Sequence, residues 1–274
     1  MNPQNSIQHV ESTILASMRP AYLFSVMLLA AIAPGMAERQ PHLVVASSLT
    51  LTAASDGFDG KLELLEDARL TPALGKTLWG SGGPELALSE NDPRYKDLTS
   101  NLLLNAVLRL KDAHGKTVAE TELEREQARI RFERLHPGRR SILVTTDLYA
   151  GSGSYSGPLT ELLNVAGGRL KTVVARDAES GLSEPIRLKS SLKSAWKLAP
   201  AAGAHNNLKD ILKVACRPDY DAEYADNFLV TYTRYHWDGK EWIVLNRKVH
   251  GLWENDNGFP AQDQFPSAAE PKRP

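Results

Sequence analysis

The pair Asp238-Gly239 constrains this chain more than any other feature, because it separates two runs rich in β-branched and aromatic residues, Phe228–Trp237 and 240–249. Asp-Gly suits the two-residue type I′ turn, whose twist matches that of paired antiparallel strands. The expected register sets Trp237 opposite Lys240, His236 opposite Glu241, Tyr235 opposite Trp242 and Arg234 opposite Ile243. Strand alternation then gives one face to Trp237, Tyr235, Thr233 and Trp242, and the other to His236, Arg234, Tyr232 and Glu241.

The same grammar recurs upstream. Segments 107–111 and 116–123 flank a turn at 112–115, and segments 159–165 and 169–175 flank Ala166-Gly167-Gly168. Segments 42–51, 141–149, 186–198 and 208–216 also read as extended, whereas 61–70 suits a strand or a short helix. Over 120–135 the Glu, Arg, Gln and Ala content favours helix. Alternation of Ala128, Ile130 and Phe132 favours strand, which is the preferred reading for 128–134. Many short strands with glycine turns predict a mostly β fold, an antiparallel sandwich or barrel-like meander with few short helices. The turns Gly115-Lys116, Gly168-Arg169 and Gly239-Lys240 are unevenly spaced, which argues against a propeller or solenoid.

The N-terminus carries a different signal. Arg19 precedes an apolar run over 21–33, followed by Gly35 and Ala37 at the small positions before Glu38. A basic residue, a short apolar core and a small-x-small site are what signal peptidase reads. The run falls short of the about 20 residues that span a bilayer. Residues 1–37 are therefore expected to be a cleaved signal peptide, with Met18 as an alternative start to Met1. The expected organisation continues with an N-terminal segment or small subdomain over 38–100, a β-rich domain over 101–258 and a flexible tail over 259–274. The exported chain is expected in the periplasm or outside the cell, with no transmembrane span after cleavage.

Composition narrows the partners. The 274 residues are 42% hydrophobic and carry a formal net charge of −1, which suits a packed core and disfavours nucleic acid. The single cysteine, Cys216, cannot form an internal disulfide, and it shares a strand face with Leu212 and Val214, as a buried thiol would. No H-x-x-x-H or H-E-x-x-H spacing occurs, and no cofactor is expected.

Several constellations remain. The glycine-rich stretch over 151–157 matches no dinucleotide, P-loop or nucleophile-elbow pattern; it reads as a mobile connection, with Tyr149, Ser154 and Tyr155 as possible ligand contacts. Asp219, Asp221 and Glu223 alternate as weak calcium candidates, with Asp56/Asp59 and Glu254/Asp256 weaker still. Asp147, His236 and Glu241 are the candidates for acid–base chemistry. In a two-layer sandwich only one face of the last hairpin is buried, so some of Arg234, His236, Trp237 and Trp242 should reach a ligand. These features favour a non-catalytic binding module for a glycan or an envelope protein. The alternatives are a hydrolase of envelope polymers and a structural part of an envelope assembly.

Overall fold

A computed structural model describes residues 43–70, 91, 93, 103–148, 153–201, 208–219 and 227–268. The chain is mostly β, in three sheets. The first is an antiparallel meander of β1 (Leu43–Leu51), β2 (Gly60–Asp67), β3 (Val107–Asp112) and β4 (Thr117–Glu122). The second contains β5 (Arg129–His136), β6 (Arg139–Thr146), β7 (Leu159–Ala166) and β11 (Arg187–Lys189) in the order β11-β7-β6-β5, and β8 (Arg169–Thr172) also pairs with β7. The third runs β10-β9-β15-β14-β13-β12, made of β9 (Val174–Asp177), β10 (Ser183–Pro185), β12 (Ser194–Pro200), β13 (Lys209–Pro218), β14 (Phe228–Trp237) and β15 (Trp242–His250). Among the described strands every pairing is antiparallel except that of β9 with β15.

The sheets are stacked, and the five-stranded one lies in the middle. Ile142 and Val144 of β6 enter a core with Leu62, Leu64, Leu108 and Leu110 of the first sheet. Leu143, between them, points the other way and packs with Ile211, Tyr235 and Trp242 of the third sheet. The unbroken run Ser141-Ile142-Leu143-Val144, all buried, is therefore the mark of a strand covered on both faces. A third core covers the far side of the six-stranded sheet, where Leu212, Val214, Cys216 and Val230 meet Trp253 and Phe265. The segment expected to fray after Gly258 is packed there over 259–268: Phe259 stacks on Phe265 with ring centroids 5.6 Å apart, and Phe265 sits edge-on to Tyr232.

A short helix, α1 (Ala53–Asp56), ties the first sheet to the second. Thr52 caps it, and Gly57 ends it in a left-handed conformation (φ 69°). Asp56 then takes a two-point contact from Arg140 on β6, at 3.0 and 2.6 Å.

Several expectations change. The ambiguous segments 61–70 and 120–135 contribute strands, and 186–198 splits into β11 and β12. The boundary expected near residue 100 does not separate a subdomain, because β2 pairs with β3 across it. The last hairpin closes through a four-residue loop instead of two, so Trp237 pairs with Trp242 and His236 with Ile243. Asp238 Oδ1 holds this loop by accepting from the amides of Lys240 and Glu241, each at 2.8 Å. The register moves by two, which preserves side-chain parity, so Trp237, Tyr235, Thr233 and Trp242 do share a face.

Candidate functional site

The second core opens to solvent at the turn end of the last hairpin. A cavity of about 580 Å³ forms there, lined by residues of the β5–β6 turn, β7, the β8–β9 link and the β14–β15 loop. Trp237 stacks on His136 with centroids 4.6 Å apart and planes 24° apart. Trp242 meets both rings edge-on, at 5.9 Å from Trp237 and 6.3 Å from His136. Trp242 is buried, Trp237 partly exposed, and exposed Arg139 and Lys240 stand at the rim with half-buried Glu241.

The polar lining is distinctive. Asn164 Oδ1 and Trp242 Nε1 are enclosed and have no protein hydrogen-bond partner. Both atoms belong to residues that line the cavity, but the atoms themselves are closed to solvent behind its wall. Burial holds the His136 imidazole below the ordinary histidine value, and the Arg139 charge pushes the same way, against a hydrogen bond with the Pro137 carbonyl. At neutral pH the aromatic wall is therefore uncharged. Glu241 is paired with Arg176 at 3.0 Å and adds no free negative charge. An aromatic wall and a rim of mixed charge suit a neutral polar ring with CH-rich faces.

The expected site residues are dispersed. Trp237, Trp242 and Glu241 come together at this cavity. Arg234, expected among the ligand contacts, is buried and pairs with fully enclosed Asp210 at 2.7 Å. The reason is architectural: the C-terminal segment covers the hairpin face that a two-layer sandwich would leave open. Trp242 is likewise no surface residue, being 2% exposed at the cavity wall. His236 lies on the sheet face opposite Trp237, and its Nδ1 is 2.8 Å from Asp210 Oδ1, so the expected pairing with Glu241 does not form. Asp147 pairs with Arg125 and is the one described non-glycine residue with positive φ (52°). Asp147, His236 and Glu241 therefore each bond a different partner and form no acid–base group.

Ser154 and Tyr155 lie away from this cavity. The Ser154 carbonyl accepts from the Lys193 amide at 3.0 Å, and Tyr155 is 45% exposed. A Cβ on Gly157 would come within 1.8 Å of the Ser190 carbonyl oxygen, so glycine there lets two loops meet; this part of the stretch is anchored, not mobile. Tyr149, Asp221 and Glu223 lie outside the described residues, and Asp219 pairs with His250 at 3.3 Å. Among the described residues, no three His, Cys, Asp or Glu side chains form a metal-holding group. Asp56 is committed to Arg140, Asp59 accepts from the Ala53 amide, and Glu254 pairs with Lys193. Sequence reasoning missed His136 and Asn164. The first is signalled only as a histidine ahead of the Pro137-Gly138 turn, the second as a polar residue inside an apolar strand.

No family model matches the chain, and neither the curated proteins nor the solved structures include one similar to it at a significant level. Among the described residues no helix is long and apolar enough to cross a membrane.

Proposed function

We propose that this is an exported binding module that recognises a glycan of the cell envelope, seating one sugar ring in the His136–Trp237–Trp242 cavity. The observation that carries the reading is an uncharged aromatic wall, His136 stacked on Trp237, in a solvent-open cavity with polar side chains at its rim. A sugar ring offers a CH face to an indole and hydroxyls to the rim side chains of Arg139, Lys240 and Glu241. Export rests on the pattern over residues 1–37.

One observation favours hydrolysis. Asp210 is fully enclosed and accepts from His236, whose side chain is 21% exposed, in the manner of a carboxylate that orients a catalytic base. Yet strand alternation turns His236 away from the cavity, and its neighbour in the cluster is the Arg234 guanidinium, not a nucleophile. Binding is the better-supported reading.

Retention of the purified protein on insoluble peptidoglycan and common polysaccharides tests it, with the supernatant assayed for released fragments. Retention without release, lost in Trp237→Ala, is the expected result. Release of fragments contradicts the binding reading, and absence of retention on every polymer contradicts the glycan ligand.

A further inference from the structure

The face that carries Trp237 and Tyr235 changes character toward the other end of the strands. Beyond Tyr235 on β14 come Thr233 and Thr231, and the neighbouring strands add Lys213, Arg217, Asn246 and Lys248. The apolar core stops here, and a second cavity of about 610 Å³ takes its place, partly walled by Leu182 and Pro185 of the β9–β10 region.

Its charges are unbalanced. Among the described lining residues, Lys213, Arg217 and Lys248 stand against Asp177 and Glu184, a surplus of one positive charge. Asp177 is already committed: it accepts from the Ser180 and Glu179 amides and the Ser180 hydroxyl, and from Asn246 at 3.2 Å. None of the three cations is in an ion pair among the described residues. Lys213 is half-buried, its ammonium donates to the Arg187 carbonyl at 3.1 Å, and burial pulls it below the ordinary lysine value. A half-buried ammonium with no ion-pair partner among the described residues gains from a bound anion. The Tyr235 phenol, pushed up to about 12 by burial with a contribution from Glu184, remains protonated and can donate a hydrogen bond. Thr231 adds a hydroxyl to the same wall.

We propose that this second cavity binds a small polyhydroxylated carboxylate, a sugar acid, with its carboxylate on Lys213 and its hydroxyls toward Thr231 and Tyr235. The surplus of one positive charge matches one carboxylate better than a doubly charged phosphate. The volume lies in the range of ordinary small-molecule sites. The inference is independent of the aromatic cavity, which shares no lining residue with this one.

Ligand-observed NMR and calorimetry of the protein with D-glucuronate, D-glucose and inorganic phosphate supply the test. Glucuronate should bind, and glucose and phosphate should bind at least about tenfold more weakly. Lys213→Met should weaken glucuronate by about tenfold or more, while Trp237→Ala leaves it unchanged. Thermal unfolding verifies that each variant is folded; if Lys213→Met is not, Thr231→Val at the same wall should still weaken glucuronate. Silence with glucuronate, equal binding of glucose once Trp237→Ala has removed the aromatic site, tighter binding of phosphate, or loss in Trp237→Ala with retention in Lys213→Met would each overturn the proposal. The Trp237→Ala arm also separates failure here from failure of the glycan reading.

Discussion

Asp56 is almost wholly enclosed, yet it stays ionised. Burial pushes its carboxyl up, but the Arg140 guanidinium, the Thr52 amide and the Ser55 hydroxyl together outweigh burial and hold it below the ordinary carboxylate value. Its stabilising contribution is present above the unfolded value of about 3.9 and is lost as pH falls through the lower folded value. Asp56→Ala should cost about 2–3 kcal/mol in urea unfolding, because Arg140 is left half-enclosed without its partner. Glu66 is the opposite case. Burial raises its carboxyl despite the hydrogen bond from the Ala128 amide at 2.9 Å. The folded state then binds the proton more tightly, so stability is lost as pH rises above the unfolded value of about 4.3. Glu66→Gln keeps an acceptor for Ala128 and should stabilise by about 1 kcal/mol at neutral pH, with less gain near pH 4. His136, lowered mainly by burial, resists protonation that the unfolded chain accepts below about 6.5. Stability should fall with acid from that point down to the lower folded value, and His136→Gln should flatten the dependence of the urea midpoint on pH between 7 and 5.

At the scale of elements, the last hairpin shows what local sequence carries. Its strands and the parity of their faces were legible from alternation, because a shift of two residues moves no side chain across the sheet. The loop length was not legible. Asp238 uses its carboxylate to hold two amides of a longer loop, and the pattern Asp-Gly fits both outcomes. Asp238→Ala should cost about 1 kcal/mol and speed amide exchange at Lys240 and Glu241, with little change in the β14–β15 ladder. The strand over 128–134 was readable because Ala128 and Ile130 face the first core and Phe132 packs beneath the Arg140 guanidinium, 3.8 Å from its ring centroid. Helix-favouring residues between them point elsewhere, and pairing with β6 overrides their propensity.

For the whole molecule, the layer count decided which site residues were legible. Two layers leave one hairpin face open; three sheets and a docked C-terminal segment leave neither fully open. That is why Arg234 became an internal ion-pair partner, and why the aromatic cavity lies at the strand ends, where the second core reaches solvent. Nothing local in the sequence announces that residues 259–268 will cover β13 and β14; the pairs Phe259-Pro260 and Phe265-Pro266 do so only once Phe265 has a groove to fill. Phe265→Ala should cost about 3 kcal/mol and expose the Cys216 thiol to alkylation in the folded state, which mass spectrometry detects.

The most direct test of the central claim is a fluorescence titration of the protein with soluble peptidoglycan fragments, since Trp237 lies in the aromatic cavity and changes environment when a sugar ring arrives. A saturable emission change is predicted, abolished in Trp237→Ala and preserved in Trp253→Phe, whose indole belongs to the third core. An emission change that survives Trp237→Ala, or none with any fragment, would contradict the account.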